Sequence, residues 1–414
     1  MNKELVIIGG GSAGLNAAIA AYKQGIRDIL IIEQNDRLGG ILNQCIHNGF
    51  GLQWFNEELT GPAFANRCIK EVKKLQIEYW LNTTVIKVNN LKEIEYVSLT
   101  SANKIQAQAI IFAVGCYERN KGAINIAGYR PRGIYTAGMA QKYLNETGYL
   151  VGKNIFILGS GDIGLIMARR MTLEGAKVLG VAEIMPYSNG LKRNIVQCLD
   201  DYDIPLYLSH TVTDIYGKDN ITEIEVSEVT SDFKVIPNSQ KYFKCDTLLL
   251  SVGLIPENSL LEQLAINIDP ITKGPIVDEN FQTELAGVFA CGNGLHVHDL
   301  VDYVAKEAES AGKAAANFLK NQKVDGPQIK LIAAKGIGYI LPQVFNQQAQ
   351  QIIIKTRVKK PMSKAKIIFV SEGIILKQII KMNLFPAEML EIPLTFDVYQ
   401  KVKTEMRVSI IECE

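Results

Sequence analysis

Two copies of one short pattern limit what this chain can fold into. Leu5–Ile8 is an apolar run that ends in Gly9-Gly-Gly11-Ser12-Ala13-Gly14. Leu15–Lys23 is then Ala-rich and helix-forming, and Ile29–Ile32 is a second apolar run closed by Glu33. The same grammar returns at Asn154–Leu158, Gly159-Ser-Gly161-Asp162-Ile163-Gly164, Leu165–Leu173 and Val178–Val181, with Glu183 behind it. Strand, glycine turn, helix and strand make a βαβ unit, because two adjacent parallel strands need a crossover connection. The expected fold class is α/β, with two Rossmann-like dinucleotide-binding domains.

Each glycine has a physical task. The first permits a tight turn, the second lets a pyrophosphate reach the backbone, and the third lets helix and strand pack closely. The helix N-terminus adds partial positive charge, and an acid about 20 residues on can bond a ribose hydroxyl. Gly9, Gly11 and Gly14 with Glu33 meet these conditions, as do Gly159, Gly161 and Gly164 with Glu183. Glycine kept only for packing explains one such turn more readily than two complete units, so two nucleotides are expected. Glu183 would accept from ribose hydroxyls and repel a 2′-phosphate. Ile184-Met185-Pro186 follows it rather than arginine, although Lys192 and Arg193 come soon after. For a nicotinamide dinucleotide on this module, that pattern favours NAD(H) over NADP(H).

Two further apolar strands end in glycine: Ala109–Ala113 before Val114-Gly115, and Thr247–Leu250 before Ser251-Val-Gly253. A third, Gly287–Ala290, ends in Cys291-Gly292-Asn293 and precedes a helix expected from about Asp299 to Leu319, with Asp299 or Asp302 as its cap. The simplest layout inserts the second module into the first, with 1–118 and 245–323 as one domain and 119–244 as the other. After Asp325-Gly-Pro the texture changes. Gln351–Val358, Ala365–Val370, Gly373–Ile380 and Met406–Ile411 are Ile/Val-rich, so residues 328–414 are expected to form a small β domain. Between Lys355 and Lys381 that domain carries eight basic residues and one acid, Glu372. A solvated lysine face guarding strand edges outweighs a docking patch for an acidic partner. No aromatic interleaving accompanies the charge, so nucleic acid is not an expected partner.

Composition agrees with this layout. A chain of 414 residues, 47% hydrophobic with net charge +1, is long enough for two or three domains and too apolar for disorder. Seven cysteines, at 45, 68, 116, 198, 245, 291 and 413, form no CxxC pair, which fits a reducing compartment and offers no zinc or iron–sulfur spacing. Glu4 and the glycine turn argue against a signal peptide. No uninterrupted apolar run reaches the roughly 20 residues of a membrane span. A cytoplasmic location is expected.

Past Glu33 come Arg37-Leu-Gly39-Gly40 and a further strand at Thr84-Val85-Ile86. With the two glycine turns, Val114-Gly115 and Gly287–Asn293, these motifs make the chain resemble the FAD-dependent pyridine nucleotide-disulfide oxidoreductases from residue 1 to about 320. The resemblance implies FAD on the first module and NAD(H) on the inserted one. It assigns cofactor contacts to Gly9, Gly11, Ser12, Ala13, Gly14, Glu33, Arg37, Gly40, Val85, Gly115, Gly159, Gly161, Asp162, Ile163, Gly164, Glu183, Gly253, Gly292 and Asn293. Asn293 stands where the family has aspartate. It keeps a hydrogen bond to a hydroxyl but removes a negative charge near the phosphates, so FAD binding is expected to survive.

The family's dithiol is missing. Cys45 has no cysteine neighbour; Cys45-Ile-His47 reads either as a thiolate–imidazole pair or as a small buried cysteine. His296 and His298 precede a helix start that the resemblance aims at the flavin. There an imidazolium would stabilise the reduced anionic flavin, against the plainer reading of one capping and one exposed histidine. The His-x-His pair lacks further ligands nearby in sequence, so no metal is expected. Segments such as GDIGLIMARRMTLEGAKV and ACGNGLHVHDLVD resemble a narrower branch, the FAD/NAD-type subunits that accompany a glycerol-3-phosphate dehydrogenase-like flavoprotein. More distantly the chain is similar to the larger subunits of opine oxidase and hydrogen cyanide synthase. That implies an electron-transfer subunit beside a partner flavoprotein that oxidises glycerol 3-phosphate or an amino acid, and an oligomer is compatible with it. Some of those relatives carry a cysteine-rich 2Fe–2S segment, but Cys413 is the only cysteine after 291, so this chain builds no cluster. Two alternatives within enzymes are a free-standing NADH oxidase or diaphorase, and a thioredoxin-reductase-like protein without its CxxC. A non-catalytic flavin-stabilised scaffold is the third, and a complete second turn with Glu183 argues against it.

Overall fold

The computed structural model describes residues 1–321, 326–349 and 351–413. Asp325 of the expected linker, residues 322 and 323, and Glu414 lie outside them. Two compact units form. One comprises Met1–Cys116 with Pro256–Glu414, and the other Tyr117–Ile255.

In the first unit, strands Glu78–Trp80, Ile29–Ile32, Asn2–Ile8 and Ala102–Phe112 lie side by side in that order and parallel, with Val288–Ala290 also parallel to Ala102–Phe112. Glu93–Ser98 and Thr83–Val88 extend the sheet as an antiparallel hairpin. Leu5, Val6, Ile7, Leu30 and Ile31 are fully buried, as continuous apolar strands covered on both faces must be. One face carries the Ser12–Lys23 helix, which packs on the Val301–Leu319 helix. Both are alanine-rich where they meet, and the approach is close: a Cβ added to Gly312 would collide with the carbonyl of Ala17.

The inserted unit repeats the architecture. Its five strands run Leu206–Leu208, Lys177–Glu183, Asn154–Leu158, Thr247–Leu250, Ile134–Thr136, all parallel. Thr247–Leu250 pairs with Asn154–Leu158, so the boundary expected after residue 244 is corrected: this strand closes the inserted sheet, and the chain returns to the first unit at Pro256. The buried Leu248–Leu250 face could match either module by hydrophobicity, and only the pairing decides.

Residues from Gln328 on build two sheets over their own core. The larger has the order Val344–Asn346, Gln328–Ala333, Glu405–Glu412, Met362–Ser371, Ile374–Leu384; the smaller has Ile337–Leu341, Ile352–Val358, Leu390–Leu394. Lys377 and Lys381 lie on the edge strand, Ile374–Leu384, as a guarded edge requires. Lys355 does not: it is 5% exposed, and the reading of a wholly solvated lysine face is corrected for it.

Alanine normally favours a helix over glycine by about 0.5–1 kcal/mol. At position 312 the contact with Ala17 outweighs that preference. Gly312→Ala is expected to lower the thermal midpoint and Gly312→Val to cost about 1–3 kcal/mol. Denaturant unfolding checks both; a stabilised Gly312→Ala would refute the close approach.

Candidate functional site

In the first unit the strand leaves its sheet at Gly9 (φ +107°), and the chain turns straight into the Ser12–Lys23 helix. A Cβ on Gly9 would collide with Ala113 O, and one on Gly14 with Gly9 O, so neither position admits another residue undisturbed. Gly11 differs, because the nearest atom to its added Cβ is Gly40 Cα at 3.9 Å. The helix N-cap at Gly11 has no side-chain hydrogen bond. An uncapped N-terminus facing open space is where a pyrophosphate fits. Glu33 is buried and accepts from Gly10 N–H at 2.8 Å through Oε2, and from Asn35 N–H and Nδ2 at 2.8 and 2.7 Å through Oε1. It therefore holds the turn. Gly40 (φ +56°) lies against Gly11, and Gly115 (φ +78°) has nothing within 4 Å of an added Cβ. These residues fit a dinucleotide. Arg37 is exposed, while the Val85 side chain is in the core, so only its main chain is left to serve a ligand.

The second turn is built alike but held differently. Gly159 (φ +97°) and Gly164 repeat the close approach, the former against Ser251 O. Glu183 is buried and accepts from Ser160 N–H at 3.0 Å, Ser160 Oγ–H at 2.7 Å and Met185 N–H at 3.0 Å. Ser251 Oγ accepts from Gly164 N–H at 3.1 Å. Asp162 Oδ1 accepts from Leu191 N–H at 2.8 Å and Asn194 Nδ2 at 2.6 Å, which fastens the segment carrying the exposed Lys192 and Arg193 to the helix start. Ile163 is half-buried against the unit's core, and Gly253 (φ +105°) accepts from Arg119 N–H through its carbonyl at 3.0 Å.

The segment after Val288–Ala290 follows different rules. Gly292 (φ +70°) sits so that an added Cβ would lie 2.8 Å from Ala13 Cβ of the first turn. Gly292 N–H donates to Glu307 Oε1 at 2.8 Å, and Asn293 Oδ1 accepts from His298 N–H at 3.1 Å. Asn293 thus ties its own loop. The helix expected from Asp299 begins at Val301, and Leu300 occupies the cap position without a side-chain bond. Neither aspartate caps it. Asp302, buried, accepts from the N–H groups of Gly51, Gln53 and Trp54 at 3.0, 2.9 and 2.8 Å and so orders the loop that follows His47. Asp299 pairs with Arg357 instead.

Both histidines are buried, which corrects the exposed alternative. His296 Nε2 donates to Glu307 Oε2 at 2.9 Å, and Nδ1 accepts from Tyr339 O–H at 3.2 Å. Burial foremost, then the neighbouring His298, pushes His296 down to about 3, so it is neutral and the imidazolium expectation is corrected for this residue. His298 Nδ1 donates to His296 O at 3.0 Å, and its Nε2 lies 3.3 Å from Glu307 Oε2. Burial alone would raise Glu307, but the Lys355 ammonium, 2.5 Å from Oε2, and then the two histidines hold it well below the usual carboxylate range. His296, His298 and Glu307 have the chemistry of a metal donor set. Lys355 already supplies the cation on the shared oxygen.

Cys45 and His47 each bond nearby backbone. Cys45 Sγ donates to Ile41 O at 3.3 Å, and burial pushes the thiol up to about 12. His47 bonds Asn48 O through Nδ1 at 3.0 Å and leans on Phe50, ring centroids 4.9 Å apart. The seven cysteines form no disulfide with one another. Sequence reasoning missed Glu307, Lys355, Tyr339 and Arg357. One signal was present: Asp302 and Glu307 fall on the alanine stripe of a helix whose other acid, Glu309, is off it.

Against known proteins, residues 3–317 match the pyridine nucleotide-disulphide oxidoreductase family. The chain belongs to that family, which uses FAD and NAD(P)H in oxidoreductase chemistry. It is 23% identical over 333 residues to an opine oxidase subunit of Agrobacterium tumefaciens, covering 76% of this chain and 64% of that one. It is 24% identical over 331 residues to an alkyl hydroperoxide reductase subunit of Staphylococcus aureus, covering 77% and 59%. The HcnB subunit of hydrogen cyanide synthase from Pseudomonas protegens is 23% identical over 322 residues, covering 72% and 65%. The chain thus spans about three fifths of the length of these relatives. Its fold matches T. acidophilum thioredoxin reductase with a TM-score of 0.61 at 21% identity, covering 78% of this chain and 98% of that one. An NAD-dependent persulfide reductase from A. fulgidus matches with a TM-score of 0.59 at 18% identity, over 89% and 67%. Among the described residues no helix is long and apolar enough to cross a membrane.

Two outcomes follow from the geometry. Gly11→Val is expected to abolish FAD retention while the protein still folds, because the new side chain fills the open space beside Gly40; absorbance at 450 nm against protein concentration measures it. His296 has its folded pKa below the ordinary 6.5, so its stabilising contribution is full above that pH and is lost as the pH falls toward 3. In an NMR titration from pH 8 to 5 its ring signals are expected to stay still. A midpoint near 6.5 would refute its burial.

Proposed function

We propose that the chain passes electrons between NAD(H) and FAD, and that it does so as the electron-transfer subunit of a larger enzyme. The observation that carries this is the repeated turn: each helix has a glycine at its N-cap, with no side chain there to cap it, and a buried acid bonded to the turn behind it. FAD, when bound, supplies the acceptor for a nicotinamide hydride. The chain's own part is to bind and orient. Gly11 and Gly40 leave room for a pyrophosphate, Glu33 and Glu183 fix their turns, and each acid keeps acceptor capacity for ribose hydroxyls.

Disulfide reduction is disfavoured. A relay needs two neighbouring cysteines, and here Cys45 is held as a thiol with no cysteine close in sequence. The relatives from opine oxidase and hydrogen cyanide synthase are subunits of those enzymes. They support a subunit role for this chain; the partner proposed is a flavoprotein that oxidises glycerol 3-phosphate or an amino acid, as the sequence resemblance implies. NAD(H) is favoured over NADP(H) because Glu183 is a buried carboxylate beside the turn.

The test is anaerobic reduction of the purified yellow protein. NADH is expected to bleach the flavin faster than NADPH, and Glu183→Ala to narrow the preference; better reduction by NADPH would overturn the specificity. Cys45→Ser is expected to leave NADH-to-dye transfer within about twofold, because burial already keeps that thiol protonated. A wild-type protein that refuses added FAD would sink the whole reading.

A further inference from the structure

Gly292 is pinned from behind. Its N–H bonds Glu307 Oε1, while Glu307 Oε2 takes His296 at 2.9 Å and Lys355 at 2.5 Å. Glu307 is 0% exposed in its side chain and Lys355 6%. Lys355 comes from the Ile352–Val358 strand of the C-terminal domain, and its Nζ lies 5.4 Å from the Phe281 ring centroid. Two residues on, and on the same strand face, Arg357 donates to Val297 O at 3.1 Å, to Ala387 O at 2.6 Å and to Asp299. Tyr339, from the neighbouring strand, reaches His296 at 3.2 Å. One strand of the C-terminal domain therefore holds both ends of the 292–299 loop. The loop's first residue in turn backs onto Ala13 of the first glycine turn.

We propose that Lys355 is a positioning residue for the flavin: acting through Glu307, it fixes Gly292 against the first glycine turn, so the C-terminal β domain serves as a clamp on the FAD site. The inference rests on the FAD reading above and gives a role to a domain that lies beyond the family match, which ends at residue 317. A buried carboxylate stripped of its cation is strongly disfavoured, whereas a pair neutralised together is often tolerated. In E307Q the amide oxygen can still accept from Gly292, and the amide nitrogen can donate to a re-tautomerised His296.

The test compares Lys355→Met, Lys355→Arg, E307Q/K355M and E307L/K355M in the full chain. It measures the FAD dissociation constant, the visible flavin spectrum, the flavin midpoint potential and the thermal midpoint. Lys355→Met is expected to weaken FAD binding at least tenfold and to shift the potential and spectrum, with Lys355→Arg restoring most of both. E307Q/K355M, which keeps the Gly292 acceptor, is expected within about threefold of wild type. E307L/K355M, which loses it, is expected at least tenfold weaker, and it carries the test if Lys355→Met fails to fold. Wild-type FAD affinity and spectrum in a folded Lys355→Met or E307L/K355M would overturn the clamp and leave the FAD reading intact. A wild-type protein without affinity for FAD would overturn that reading itself.

Discussion

The close approach of strand end to helix start at Gly9 and Gly14 is the constraint on which the rest of the first unit depends. A side chain at either would meet backbone that cannot move without parting helix from sheet. Because the approach is that tight, the helix N-terminus lies directly at the strand ends. There the buried Glu33 accepts from Gly10 N–H, just ahead of the helix. Alanine at the interface between the Ser12–Lys23 and Val301–Leu319 helices serves the same end, since larger residues would lift the helices apart.

The inserted unit shows how one pattern is varied without being broken. Its glycines repeat the approach, yet Ser251 satisfies a helix N–H that has no such side-chain partner in the first turn, and Asp162 fastens the following segment. Glu33 and Glu183 also differ in what they bind: two groups of Asn35 in one case, Ser160 and Met185 in the other. An added Cβ at Gly11 meets its nearest atom at 3.9 Å and one at Gly161 at 3.4 Å, so the first turn is the more open of the two.

The C-terminal sheets contribute through charge. Lys355 and Arg357 leave the basic surface and turn inward within their own unit, where Glu307 and Asp299 pair with them. Buried ions are tolerated only when paired and hydrogen-bonded, and these contacts join loop, helix and sheet. With Lys355 as its cation, Glu307 needs no metal to balance its charge, and His296 stays neutral.

Much of this was legible in the sequence because it is local. Glycine spacing, the acids at 33 and 183, strands such as Ile29–Ile32 and Asn154–Leu158, and the lack of paired cysteines are properties of short segments. The backbone geometry they require admits few alternatives. What tertiary structure decided was partnership across long separations. Thr247–Leu250 reads the same in either sheet until it pairs with Asn154–Leu158. Asp299 and Asp302 look like helix caps until Arg357 and the 51–54 backbone claim them. Lys355 looks like one lysine in a solvated run until it meets Glu307, 48 residues away. Local patterns fix what a backbone can adopt, but the state of a charged side chain depends on which distant groups replace its water, and only the folded chain supplies them.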